Sequence, residues 1–399
     1  MKTIQKTIPV YFGSFIILAL IPQVIGVSNS VFDNIYKIAL IGVLLIKCIP
    51  FIAETKYVSA FTAIFAIGCV ISSAFTIISN GISPIKETMS AITSVLLVYI
   101  FFEIPSKSRK SRVEDVLRFY RIYSYFMLIA AVYNMVINFN SLIHITGLTV
   151  YSAENICSFF DNKNTYGVFL IFGVLACTIL KTMTKEKRWM FFCIIFFINT
   201  VMAMCRTAIL ISFAVIVGSY MVTSKRKLRD IMILAAFLCV VLILVLKNEI
   251  VSRFVFKNLF GSSVSMEARS SYAEILLPYL KGVHLLFGFG TDKAMSFAAD
   301  YAGNAYYHNS YLKALMVGGV LKLALQIYAI VVSLNYGLKC RRIDKSIGNL
   351  CLLSTAVYVI YAFVESVILF DTPVVTIMAV MFIISMPVMF YRAVLPIKG

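Results

Sequence analysis

Arg206, His308 and Glu365 stand beside long apolar runs, while Arg253 and Arg269 lie in the moderately polar stretch between Lys247 and His308. Charged groups placed against membrane depth are rare and usually functional. Arg206 sits between two apolar arms, where an arginine is costly unless it is paired or wetted. It reads as an anion clamp, because its planar, permanently charged fork meets phosphate oxygens bidentately. The bland alternative is an interfacial arginine that snorkels to water. Arg269 lies in Met266-Glu267-Ala268-Arg269-Ser270-Ser271-Tyr272. Glu267 is not four residues away, so on a helix it would not neutralise Arg269 on the same face. Arg269 is a second clamp or an exposed loop arginine, and Arg253, beside Lys257, is a weaker candidate. His308, in Tyr306-Tyr307-His308-Asn309-Ser310-Tyr311, immediately precedes an apolar run. Histidine takes a proton near neutral pH and suits general-base work, or it serves as a hydrogen-bonding residue at a helix start. Asp161 and Asn164, in Asp161-Asn162-Lys163-Asn164-Thr165, are N-cap candidates or contacts to a sugar hydroxyl. Glu365 orients a base or caps a turn. His144 and His284 lack polar company and receive no role.

The elements that must position these residues are membrane helices. The chain of 399 residues is 61% hydrophobic and 14% charged, with a mean hydropathy of +0.92. Soluble domains carry about 25% charge and about 45–50% apolar residues. Such a chain has too little polar surface to cover a soluble core. The net charge of +18 comes as short basic clusters between apolar runs, the positive-inside pattern, and does not point to nucleic acid. The nine cysteines sit mostly inside apolar runs, with Cys157 in a polar segment. No CxxC or Cys/His spacing suggests a metal, and a disulfide framework is not expected. No linker, low-complexity tract or tandem repeat marks off a soluble domain.

At roughly 20 apolar residues per span, the expected fold is an all-α polytopic membrane protein: a single integral membrane domain over 1–399. Spans fall near 10–26, 36–52, 58–79, 87–104, 119–138, 165–181, 189–204, 207–223, 230–247, 309–333, 347–364 and 372–391, about twelve in all. Pro9 to Gly26 reads as the first span, because Ile25-Gly26-Val27-Ser28 makes a poor cleavage site. With both chain ends in the cytoplasm, the short basic loops fall on the cytoplasmic side. Residues 189–223 would be about 50 Å long as one helix, too long for a bilayer of about 30 Å. The strongly basic flanks Lys181–Arg188 and Lys225–Arg229 force a hairpin with its tip at Met204-Cys205-Arg206-Thr207. Residues 347–391 fold back in the same way around Glu365 to Pro373. The one long extracytoplasmic loop, 248–308, lies between spans nine and ten. Short helices are expected around Met266–Tyr279 and a turn at Gly288-Phe289-Gly290. This topology gathers Arg206, Arg253, Arg269, His308 and Glu365 on the outer face.

Taken in order, Asp161-Asn162-Lys163-Asn164-Thr165-Tyr166-Gly167, Cys205-Arg206-Thr207-Ala208, Arg269, Leu286-Phe287-Gly288-Phe289-Gly290-Thr291, His308-Asn309-Ser310-Tyr311-Leu312 and Gly318-Gly319-Val320-Leu321 form an ordered set. This set resembles the O-antigen ligase and polymerase superfamily of the Wzy/WaaL type. Its motifs run from about Asp161 to Leu334. The resemblance implies a GT-C-like, metal-independent inverting glycosyltransferase of the bacterial inner membrane, without a cofactor. Its donor would be a polyprenyl-diphosphate-linked oligosaccharide. The matching positions make Arg206 and Arg269 holders of the diphosphate and His308 the base. Asn164, Asp161, Asn309, Arg253 and Glu365 are possible substrate contacts, although Glu365 matches no family motif. Cys205 departs from the serine that usually precedes the arginine. Expected partners are membrane lipid and, from the family setting, a chain-length regulator and a flippase. A repeat-unit polymerase making O-antigen or capsule is the leading expectation. A ligase that moves finished glycan to lipid A core or another acceptor is the alternative. A transporter of lipid-linked glycans is the reading from another class, but neither internal repeats nor paired interrupted helices are legible in the chain.

Overall fold

The computed structural model describes residues 8–26, 30–51, 57–80, 84–108, 112–144, 148, 152–223, 229, 272–302, 306–371 and 373–395. Among the described residues there is no strand. The principal helices are α1 (Ile8–Ala19), α2 (Ser30–Cys48), α3 (Ala60–Asn80), α4 (Pro84–Val98), α5 (Val113–Ile137), α6 (Lys163–Thr184), α7 (Arg188–Met202) and α8 (Arg206–Thr223). They are followed by α9 (Val283–Phe287), α10 (Thr291–Ala302), α11 (Ser310–Ile343), α12 (Lys345–Ala362) and α13 (Val374–Val380).

Among the described residues, seven stretches are long and apolar enough to cross a membrane: Ala60–Ile78, Glu87–Lys107, Val113–Ile137, Lys163–Thr184, Ser310–Ile343, Lys345–Ala362 and Val374–Val394. Their exposed residues are apolar as well. On α11, Ile327, Val331, Leu334 and Leu338 are all exposed, and their spacing lays them along one helical stripe. A stripe of that kind facing water would be an aggregation surface, whereas hydrocarbon solvates it. The protein is therefore an all-α membrane protein. Each expected span falls on a helix except 230–247, which lies outside the described residues.

The described chain forms two compact units. The first comprises Met1–Ala19, Asn29–Val116 and Ser265–Gly399. In it α11 packs on α3, α9 and α12, and α3 packs on α4. α11 is not one continuous rod. Gly318 (φ −132°, ψ 20°) and Gly319 (φ 63°, ψ −163°) interrupt it, a break that hydropathy alone does not reveal. The expected Gly-rich turn explains the interruption. Phe289 N–H donates to Met316 O and Gly290 N–H to Val317 O, each at 2.9 Å, so the loop takes up carbonyls that the broken helix leaves open. A Cβ at Gly319 would lie 2.3 Å from Leu286 O, so only glycine permits both its left-handed backbone and this approach. Phe75 stacks on Phe287 with ring centroids 4.0 Å apart, which ties the loop to α3.

Two π-helical turns face each other in the first unit, Tyr99–Glu103 after α4 and Met381–Ser385 after α13. A π-turn widens the helix and disturbs its carbonyl ladder. Ser385 Oγ donates to Phe101 O at 2.6 Å, and Ser333 Oγ donates to Ile383 O. Buried hydroxyls thus serve carbonyls of both turns.

The second unit comprises Leu20–Ser28 and Leu117–Val264. Here α7 and α8 pack on each other and both pack on α6. The expected hairpin is present, since α7 ends at Met202 and α8 starts at Arg206. Met204 at the turn takes φ 48°, the left-handed conformation that reverses the chain tightly. The core is pinned by a buried amide cluster. Asn199 Oδ1 accepts from Asn134 Nδ2 at 2.9 Å and from the Tyr166 hydroxyl at 3.0 Å. Asn134 Oδ1 in turn accepts from Ser158 N–H at 3.0 Å.

Candidate functional site

In the first unit the sequence Tyr307-His308-Asn309-Ser310 feeds α11. Asn309 is the N-cap, and its Oδ1 accepts from Tyr311 N–H and Leu312 N–H at 2.9 Å each. It satisfies two of the donors that a helix start leaves open. Capping fixes where the helix begins and therefore where His308 stands. His308 itself has φ 46°, a left-handed conformation that costs a non-glycine residue free energy and is typical of functional positions.

The turn after α12 is stitched to this point by one side chain. Ser310 Oγ donates to Glu365 O at 2.6 Å and accepts from Val367 N–H at 2.6 Å. The stitch brings Glu365 Oε2 to 3.7 Å from His308 Nδ1. His308 keeps 22% of its side chain exposed and Glu365 keeps 13%, so the pair is sheltered yet reachable. His308 Nδ1 has no hydrogen-bond partner among the described residues. The structure thus places Glu365 beside the candidate base, whereas a span end alone left its role open.

Tyr307 supports the segment from the other side. It is buried, and its hydroxyl donates to Ala294 O. Burial, and secondarily the nearby Tyr272, pushes its hydroxyl pKa upward, so it stays protonated and structural. Lys313, one turn into α11, lies in the electrostatic field of Asp371 and Lys322. Sequence reasoning missed Lys313 and Lys322, although a lysine on either side of Gly318-Gly319 inside an apolar run was an available signal.

In the second unit the Asp161–Gly167 motif meets the Cys205–Ala208 motif. The N-cap of α6 is Asn162, whose Oδ1 accepts from Thr165 N–H at 2.8 Å. This corrects the expectation that Asp161 or Asn164 caps the helix. Asn162 is the residue with extended backbone whose oxygen reaches the third N–H of the helix. Asp161 instead accepts from Gln23 Nε2 at 2.7 Å, and Asn164 Oδ1 lies 3.8 Å from Cys205 Sγ. A Cβ on Gly167 would lie 2.7 Å from Cys205 Sγ. The absence of a side chain there lets the hairpin tip press against α6 and seats Arg206 at the first position of α8. Lys163 shares the electrostatic surroundings of Arg206, Cys205 and Glu154. Two cations are thus gathered where sequence reasoning counted one. Arg253 and Arg269 lie outside the described residues, as does residue 266, where the expected short helices begin. Residues 272–276 are helical and Leu277–Tyr279 is a 3-10 turn.

No family model matches the chain, and no curated protein matches it.

Proposed function

We propose that this protein is a membrane glycosyltransferase of GT-C-like architecture with about twelve spans. It joins polyprenyl-diphosphate-linked repeat units into a surface polysaccharide at the outer face of the bacterial cytoplasmic membrane. Its basic loops face the cytoplasm under the positive-inside rule. The observation that carries this reading is the His308–Glu365 pair, held in a strained and partly open position at the start of a span.

The chemistry is a single inverting displacement. His308 Nε2 takes the proton of the acceptor sugar's hydroxyl, and general-base help of this kind contributes about 10²–10⁴-fold. Glu365, on the Nδ1 side, stabilises the imidazolium that forms. The hydroxyl oxygen bonds to C1 of the donor sugar as the bond from C1 to the diphosphate oxygen breaks. The electron pair leaves with the diphosphate. Guanidinium groups at Arg206 and Arg269 are the natural partners of that developing charge, an effect that supplies several kcal/mol. Asp161, Asn164 and Asn309 already hold protein partners, so the reading gives them positioning roles rather than sugar contacts.

The interruption of α11 favours a second reading, because broken helices beside polar groups also build transporter sites. A lipid-linked glycan transporter needs no base. Deleting the gene in its host and sizing the polyprenyl-linked saccharides by mass spectrometry separates the readings. Accumulation of single repeat units with loss of polymer is expected. Long lipid-linked polymer that never reaches its acceptor means a ligase. Single units trapped on the cytoplasmic side mean a transporter, and unchanged pools refute all three readings.

A further inference from the structure

Beside the interruption of α11 lies a space that neither the base nor the arginines use. A cavity within the first unit is lined by residues of α3, α4, α11 and the 368–370 turn. About 50 Å³ of it is reachable by the centre of a water-sized sphere. At roughly 10–15 Å³ per water on that measure, it holds a few waters, comparable to part of one pyranose ring and far less than an oligosaccharide.

Its polar walls are strongly under-bonded. Gln326 is 2% exposed, and its Nε2 donates to the Tyr358 hydroxyl at 3.1 Å. Its Oε1 has no hydrogen-bond partner. Lys322, one helical turn earlier, makes no hydrogen bond or ion pair with any described residue. The hydroxyls of Ser73 and Ser90 make no hydrogen bond with any described residue either. Glu87 accepts from Thr291 N–H through Oε1 at a long 3.3 Å. Phe65 and Phe370 add an edge-to-face pair with centroids 4.9 Å apart. Gln326 Oε1, buried and unpaired, is costly unless something completes its bond, and the half-buried Lys322, Ser73 and Ser90 leave donors free beside it.

The combination selects the class of ligand. An apolar lipid tail would leave every one of these groups unpaired. An inorganic anion would suit Lys322 but meet the carboxylate of Glu87. A sugar ring carries donors and acceptors around its rim and C–H groups on its faces, so it answers the lysine, the carboxylate, the amide and the hydroxyls together. Val317, at the cavity wall, is the end of the half-helix that begins beside His308. Eight residues at 1.5 Å each put that wall about 12 Å along the helix from the base.

We propose that this cavity is a saccharide subsite, which takes the hydroxyl-bearing edge of one sugar residue of the glycan and holds that residue apart from the one that reacts at His308. The assignment rests on the glycosyltransferase reading.

The test uses full-length protein in lipid nanodiscs and saturation-transfer NMR. The probe is the host's repeat-unit saccharide, released from its lipid by mild acid and so free of diphosphate. Saturable binding to wild type is expected. Lys322→Met and Ser73→Val/Ser90→Val should each weaken it about tenfold, one hydrogen bond's worth or more. Cys157→Ala, outside both the cavity and the proposed catalytic residues, should leave it within about twofold. The serine variants break no protein hydrogen bond among the described residues, and melting curves confirm that every variant is folded. Unchanged affinity in the folded cavity variants overturns the subsite, as does displacement of the saccharide by inorganic diphosphate. Absence of binding to wild type also overturns it. Only if gene deletion in addition leaves the lipid-linked pools unchanged does the glycosyltransferase reading fall with it.

Discussion

The starts of α6 and α11 solve one problem in two ways. Each is capped by an asparagine with extended backbone, Asn162 and Asn309. Each carries candidate chemistry within a residue or two of the cap. At α6 the groups nearby are closely fitted. Asp161 is hydrogen-bonded, Gly167 admits the Cys205 turn, and an amide cluster pins the helix below. The span that opens there is mostly buried inside the protein, whereas the span formed by α11 is less than half buried. At α11 the chemistry is held by strain and by a single serine, with His308 left-handed and Glu365 drawn in through Ser310. A clamp for a fixed charge benefits from rigidity. A base that must take up and release a proton needs an opening and an unsatisfied nitrogen, and tolerates strain in exchange.

The largest expected effect separates chemistry from structure at α11. His308→Gly removes the base and relieves the left-handed strain. It should lower polymerisation by about 10²–10⁴-fold while the purified protein melts as high as wild type. A melting point that falls along with activity would make His308 structural. Arg206→Lys keeps the charge but loses the planar fork and should remove most activity in the same assay. Near-normal polymer from that variant would break the comparison at α6.

Gly167→Val sharpens the contrast in packing. The added carbons meet Cys205 and Ala208, and overpacking of this kind costs about 1–3 kcal/mol. A lowered melting temperature with an accompanying loss of activity is expected. Stability without change would mean that the hairpin tip is not fitted to α6. Glu365→Gln should be milder. It removes the charge beside a partly exposed histidine but keeps the Ser310 stitch, because that stitch uses the Glu365 backbone. A loss of about tenfold in kcat is expected, as suits one partly screened charge interaction. A loss as great as that of His308→Gly would mean that Glu365 acts directly on substrate.

The smallest effect concerns Cys157, in the loop ahead of α6. Burial, helped by the nearby Asp161, pushes its thiol pKa above the ordinary value. The thiolate is therefore scarce at neutral pH. Alkylation by a maleimide should be slow at pH 7 and should climb as pH passes the range in which a free cysteine has already levelled off. Labelling that levels off at the ordinary thiol pKa would show the loop to be looser than the α6 end described here.

Several of these features are legible in the residues themselves. The run at 189–223 is too long for one span and too basic at both ends to cross once, so its hairpin follows from length and charge. Apolar length likewise locates the other described spans. The interruption of α11 does not follow, because glycine is common in membrane helices and Gly318-Gly319 breaks the helix only in partnership with 286–290. The His308–Glu365 pair is hidden for a similar reason. It depends on Ser310 bonding a distant turn, which no local spacing encodes. Asn162 displaced its neighbours as cap because all three are good capping types, and only backbone conformation chooses among them.

The facing π-turns at Tyr99–Glu103 and Met381–Ser385 have a consequence for how this chain tolerates changes in length. A π-turn carries one residue more than the α-helix around it. Deleting that extra residue would restore an ordinary helix and leave the residues beyond it on nearly the same face, whereas a deletion from the α-helix on either side would rotate everything beyond it by about 100°. The Ser385 and Ser333 hydroxyls would then compete with the restored helical hydrogen bonds for Phe101 O and Ile383 O. These two turns are therefore the places in their helices where the loss of one residue is best absorbed, while the regular helix around them tolerates no such change.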